Sequence, residues 1–155
     1  MESTAYIAFG GNIDDRRAIL ERAVELLSWR RGVTVVKVSQ LIETEPVGIP
    51  GQGKYLNGAA EIRTMLPPRE LLAVLHEIEA ELGRDRSKEQ RWGPRTCDLD
   101  LLLYDGLVID EPDFKLPHPM IAQRLFVLQP LAEIAPDLMH PVLHKTILEL
   151  LNRHG

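Results

Sequence analysis

Residues 91–105, RWGPRTCDLDLLLYD, place two aspartates two apart inside an apolar run, directly after two arginines and a tryptophan. Residues two apart on a strand share a face, so Asp98 and Asp100 are expected to project together, with Cys97, Leu99, Leu101 and Leu103 on the opposite, core-facing side. Parallel carboxylates repel unless something positive lies between them. An oxygen-only pair of this kind suits a divalent ion such as Mg²⁺. A solvated polar strand face is the alternative, and the pair alone leaves it open. Cys97 reads as a buried thiol rather than a nucleophile.

The segment before the pair is basic. Residues 84–95 hold Arg84, Arg86, Lys88, Arg91 and Arg95 against Asp85 and Glu89, in a chain whose net charge is −5. Arginine forks match phosphate oxygens, and arginines beside a carboxylate-bound metal form the usual equipment of phosphoryl transfer. A merely solvated loop explains the charges less well, because this one runs straight into the aspartate strand. Trp92 has the flat face for stacking on a ligand. No G-x-x-x-x-G-K-[ST] loop is present. Gly10-Gly11-Asn12 before a helix offers amides for an anion, or simply a tight turn.

These residues need a scaffold, and the chain of 155 residues suggests one domain, spanning 1–155. An apolar content of 45% and a charged content of 26% are ordinary for a globular protein. The acidic balance argues against general nucleic-acid or anionic-membrane binding. One cysteine excludes an internal disulfide and suits a reducing cytoplasm. No secretory leader or membrane-length apolar run is visible.

Ala5–Phe9 reads as a strand closed by Gly10-Gly11. Asp14 or Asp15 can cap a helix to about Trp29, striped by Ile19, Leu20, Ala23, Leu26 and Leu27. Gly32 ends that segment, and Val33–Ile42 reads as one long strand. A Gly- and Pro-rich loop leads to a third strand, Leu56–Arg63. Pro67-Pro68 open a helix to about Leu82. Asp98–Tyr104 is the fourth strand, and Asp105-Gly106 signals a hairpin into Leu107–Ile109. Gln123–Leu128 and Thr146–Arg153 look helical. The order β-α-β-β-α-β predicts an α+β, ferredoxin-like core with a mainly antiparallel sheet, packed helices and a C-terminal extension. The loops at 43–55 and 83–96 are long enough to be functional.

Several segments together resemble the 6-hydroxymethyl-7,8-dihydropterin pyrophosphokinases of folate biosynthesis: AYIAFGGN (5–12), TEPVG (44–48), YLN (55–57), IEAELGRDR (78–86), RWGPRTCDLDLLLY (91–104), LPHP (116–119) and RLFVLQPLAEIAP (124–136). They follow the family's order and cover most of the chain. The resemblance implies transfer of the β,γ-pyrophosphoryl group of ATP to the pterin hydroxymethyl oxygen, with release of AMP. It implies two Mg²⁺ ions held by Asp98 and Asp100, which also border the pterin. It assigns Thr44, Glu45, Val47, Tyr55, Asn57, Trp92 and Phe126 to the pterin pocket. It assigns His76, Glu79, Arg86, Arg95, Leu101, Lys115, His118 and Arg124 to ATP, and makes Arg84 and Arg95 the mobile arginines of turnover. It further implies a cytoplasmic monomer whose partners are these small molecules, not nucleic acid or membrane.

Three positions depart from common family forms: Met120 follows LPHP where arginine is frequent, His76 sits where glutamine is a usual choice, and Lys115 lies where some members have threonine. His118 suits a phosphate donor better than a metal ligand. His140 and His144 are four apart, but Pro141 interrupts any helix that would align them. Rival classes are an RNA-binding ferredoxin-like module, which 5% aromatics and net acidity disfavour, and a Mg²⁺-dependent nucleotide hydrolase needing no pterin. A purely structural protein would leave the aspartate pair and the arginine loop unexplained.

Overall fold

Ala5, Ile7 and Phe9 on one side of the first strand and Tyr6 on the other are all buried, so this strand needs cover on both faces. The structure, a computed structural model, describes residues 2–11, 16–44, 55–82 and 97–154. It has β1 (Ser3–Gly11), α1 (Arg16–Ser28), β2 (Val33–Val38), β3 (Ile42–Thr44), β4 (Tyr55–Thr64), α2 (Pro68–Glu81), β5 (Asp98–Tyr104), β6 (Ile109–Glu111), β7 (Phe114–Leu116), α3 (Leu125–Ile134) and α4 (Ile147–Asn152). The main sheet is ordered β2-β4-β1-β5, with β3 also paired to β4, and every pairing is antiparallel. This is the predicted split βαβ core.

The two faces are covered differently. Leu20, Ala23 and Leu27 of α1 and Leu71, Leu75 and Ile78 of α2 pack with Ile7, Phe9, Ile62, Leu99 and Leu101. Val127, Leu128 and Leu131 of α3 and Ile147 and Leu150 of α4 cluster with Tyr6, Ala59, Leu102 and Leu103. Leu103 therefore does not share the face of Leu99 and Leu101, as strict alternation predicts. The register steps from Ile7↔Leu101 to Tyr6↔Leu103, leaving Leu102 as the extra residue of a β-bulge that reverses the alternation.

Other boundaries moved for identifiable reasons. β1 does not stop at Phe9, because Gly10 and Gly11 stay in the ladder opposite Asn57 and Leu56. Both glycines are thus strand residues rather than a turn, and Asn12, the third residue of the expected anion site, lies outside the described residues. Gly32, by contrast, ends its segment with φ +82, as predicted. The expected strand 33–42 is broken at Ser39, whose hydroxyl accepts the Ala59 N–H at 2.8 Å and donates to the Gln40 carbonyl at 2.9 Å. Asp105 does turn the chain, with φ 49, but β6 pairs with β7 rather than folding back on β5. α3 begins later than predicted and continues through Pro130 to Ile134. Burial of Pro130, Leu131 and Ile134 outweighs the lost N–H. α4 follows Thr146, whose hydroxyl and Glu149 form a reciprocal capping box. The expected caps Asp14 and Asp15 lie outside the described residues.

His140 organises the α3–α4 connection. It is 5% exposed, and its Nδ1 accepts the N–H groups of Val142 at 3.2 Å and Leu143 at 3.0 Å. Burial first, and His144 second, hold its pKa below the ordinary 6.5. The unfolded chain thus binds the extra proton more readily than the folded one. This contribution to stability is complete above the unfolded value and is lost as pH falls through the folded one. Denaturant titrations from pH 7 to 5.5 should show a falling midpoint, with a shallower slope in His140→Gln. Equal slopes would place the pH dependence elsewhere.

Candidate functional site

Asp98 and Asp100 stand at the start of β5, half-buried, while Leu99 and Leu101 between and beyond them sit in the core. Asp98 pairs with Gly10 and Asp100 with Ala8 on β1. The same β1 residues pair with Asn57 and Ala59 on β4, and Asn57 pairs with Ile42 on β3. Only glycine and alanine therefore separate the carboxylates from Asn57, which leaves a low floor across the sheet. Gly10 is required there. A Cβ on it would lie 2.8 Å from the Asn57 Oδ1 and 3.3 Å from the Leu56 carbonyl oxygen. Phe126, at the start of α3, packs partly buried against the same face, with the Arg124 guanidinium 5.7 Å from its ring centroid.

Beside this floor is a cleft of about 330 Å³. Leu72 and His76 of α2 form one wall, Asp100 and Leu101 the base, and Phe114, Lys115, His118 and Pro119 the other wall. His118 is tied to β5 through its N–H, which donates to the Leu102 carbonyl at 2.8 Å. Its Nδ1 accepts the Met120 N–H at 3.2 Å, so the neutral ring carries its proton on Nε2. Burial lowers the His118 pKa; Asp100 opposes that shift and Arg124 adds to it. Lys115 pairs with Asp110, which holds the Asp110 carboxyl below its usual range.

The predicted residues thus fall into two groups joined at Asp100. Asp98, Asn57 and Phe126 belong to the sheet face, where Thr44 and Tyr55 pair at the adjoining end of β3 and β4. His76, Leu101, Lys115 and His118 share the cleft, with Arg124 close to His118. Glu79 does not line the cleft. It is 6% exposed and its Oε2 accepts the Leu99 N–H at 2.8 Å, fastening α2 to β5. Glu45, Val47, Arg84, Arg86, Trp92 and Arg95 lie outside the described residues. A larger cleft, about 420 Å³, lies between α1 and residues 38–41 on the other sheet face, away from the carboxylate pair.

No group of three or more His, Cys, Asp or Glu among the described residues could hold a metal ion. Asp98 and Asp100 supply two carboxylates, a donor set that fits Mg²⁺, which keeps several waters and completes its shell with substrate phosphates.

Sequence reading missed Gly10, because adjacent glycines look like a turn. It also missed Glu133, whose carboxylate accepts the Gln40 N–H at 2.9 Å and so anchors the approach to β3 from α3. No local signal marks that long-range contact.

Residues 6–136 match the family model of 7,8-dihydro-6-hydroxymethylpterin-pyrophosphokinase. The chain is 53% identical over 134 residues to the 2-amino-4-hydroxy-6-hydroxymethyldihydropteridine pyrophosphokinase of Bacillus subtilis, covering 86% of this chain and 79% of the relative. It is 47% identical over 135 residues to the enzyme of the same name from Methylorubrum extorquens, covering 87% and 84%. Among solved structures, wild-type Plasmodium falciparum HPPK-DHPS matches with a TM-score of 0.81 and 16% identity, over 99% of this chain and 45% of that one. At that identity the likeness concerns the fold. The sequence match spans the sheet floor and the cleft alike, and this chain belongs to the 7,8-dihydro-6-hydroxymethylpterin-pyrophosphokinase family.

Proposed function

We propose that the two halves of the site hold the two substrates of the family's reaction. That reaction moves the β,γ-pyrophosphoryl group of ATP to the hydroxymethyl oxygen of 6-hydroxymethyl-7,8-dihydropterin. The observation that carries the reading is the position of Asp100, which pairs across the ladder with the low floor and also forms the base of the cleft.

In this reading the cleft takes the nucleotide. Leu72 and Leu101 give apolar walls for the base, with His76 at its edge. Neutral His118 donates its Nε2–H to a phosphate oxygen, and Arg124 and Lys115 add positive charge. Lys115 exchanges Asp110 for phosphate when it does so. Glu79 acts by holding α2 against β5. The floor takes the pterin. Asn57 meets its polar edge and Phe126 faces its ring, and by resemblance Thr44 and Tyr55 border it. By resemblance, Glu45, Val47 and Trp92 complete this pocket, and Arg84, Arg86 and Arg95 approach the phosphates.

Asp98 and Asp100 would hold Mg²⁺, two ions by resemblance, which when bound neutralises phosphate charge as it develops. The pterin oxygen attacks the β-phosphorus in line with the bridge to the α-phosphate. That bridge bond breaks, AMP leaves with the bridging oxygen, and the hydroxyl proton departs to solvent. The chain's contribution is to fix the two substrates in that line and to aim positive groups at the transferred phosphates.

Both halves are built by one chain, which supports a monomer acting as one domain, and the chemistry suits the cytoplasm. No helix among the described residues is long and apolar enough to cross a membrane.

The test is AMP release from ATP and Mg²⁺ with and without the pterin. Pterin-dependent AMP is expected. ADP, or AMP formed equally without pterin, would overturn the assignment.

A further inference from the structure

The outer wall of the cleft is weakly built. β6 and β7 form a separate two-stranded sheet of three residues per strand, and a hairpin of that size is marginal by itself. Phe114 and Leu116 anchor its base in the core. Its tip is held from outside by Arg69, in the first turn of α2. The guanidinium forks onto Asp113, with Nη1 3.2 Å from Oδ2 and Nη2 3.1 Å from Oδ1. Nη2 also lies 2.9 Å from Glu111 Oε2, and Cζ stands 5.2 Å from the Phe114 ring centroid.

The charge pattern gives this clamp a second role. The hairpin that walls this cleft carries Asp110, Glu111 and Asp113, and in the reading above the cleft admits a polyphosphate. Lys115 offsets the first and Arg69 the other two. Bidentate pairing with Arg69 holds the Asp113 carboxyl below its usual range. Asp113 and Phe114 themselves line the cleft.

We infer that Arg69, outside the cleft, is a positioning residue for nucleotide binding: it fixes the β6–β7 wall and masks the carboxylates that would repel ATP. The inference rests on assigning the cleft to the nucleotide. Arg69 is half exposed, so its ion pairs add little to global stability. Its effect falls instead on one substrate.

The experiment is steady-state kinetics at low and high salt, varying ATP and pterin separately, with melting midpoints recorded. Arg69→Ala should raise the ATP KM by roughly fivefold, with kcat, pterin KM and midpoint near wild type. The difference should shrink in salt, because exposed charges are screened. Adding Glu111→Gln and Asp113→Asn to Arg69→Ala should recover much of the loss by removing the repulsion. An unchanged ATP KM in Arg69→Ala, or kcat and both KM values moving together, would overturn the inference. His118→Ala separates the two levels. If it raises the ATP KM while Arg69→Ala does not, the clamp alone fails. If it leaves the ATP KM untouched, the cleft is not the nucleotide site and both readings fall.

Discussion

Asp98→Ala and Asp100→Ala are each expected to lower pterin-dependent AMP release by roughly three orders of magnitude, the scale on which loss of a well-placed electrostatic group acts. The fold should survive. Both side chains are only half-buried, and neither belongs to either core cluster. They stand on the same side of one strand about 6.6 Å apart along it, so their like charges repel. Removing Asp100 relieves that repulsion, and the melting midpoint of Asp100→Ala without ligand should hold or rise. A structural role predicts the opposite, a falling midpoint with activity lost in proportion. The two variants should also differ from each other. Asp100 is the neighbour that opposes the depression of the His118 pKa, so Asp100→Ala should lower the imidazole titration further. NMR titration of His118 checks that shift, and AMP release checks the rate. Activity within tenfold of wild type in either variant would remove the aspartates from the reaction centre.

How much of this site the sequence disclosed depended on how local each cause was. The spacing of Asp98 and Asp100 on an alternating strand needed only backbone geometry, and their shared face was legible. So was the order of strands and helices, because the apolar stripes of α1 and α2 carry the helical period. The Leu102 bulge was not legible, since the apolar run LLLY carries no alternation that could mark an extra residue before it is paired with β1. The β6–β7 hairpin was misplaced because Asp-Gly marks a turn without saying which strand lies beyond it. Arg69, Glu133 and Ser39 act through contacts set by the tertiary fold, and nothing in their neighbours announces them. The family resemblance supplied roles for His76, Lys115 and His118 that residue types left open. It did not disclose that Lys115 is paired with Asp110, nor that Glu79 is buried against the backbone of β5.

Gly10→Ala tests the least legible residue of the floor. The added methyl would fall 2.8 Å from the Asn57 Oδ1, closer than real Cβ atoms stand, and 3.3 Å from the Leu56 carbonyl oxygen. The backbone has less freedom than the side-chain amide, so Asn57 must swing away from its place across Gly10 from Asp98. If Asn57 reads the pterin edge, its hydrogen bonds to substrate are lost while the fold persists. Misplacing such contacts costs about 1–3 kcal/mol, or roughly ten- to a hundredfold in kcat/KM for the pterin. The ATP KM should stay near wild type, because the cleft is lined by other residues. Asn57→Ala should fall in the same range. The decisive comparison is the double variant. With the Asn57 amide removed, the nearest clash of the new methyl is gone, so Gly10→Ala should add little to Asn57→Ala. Strong coupling of this kind marks two residues acting through one contact. Additive losses would mean that Gly10 serves the floor through the backbone of Leu56, and that the Asn57 amide does not read the substrate through this contact.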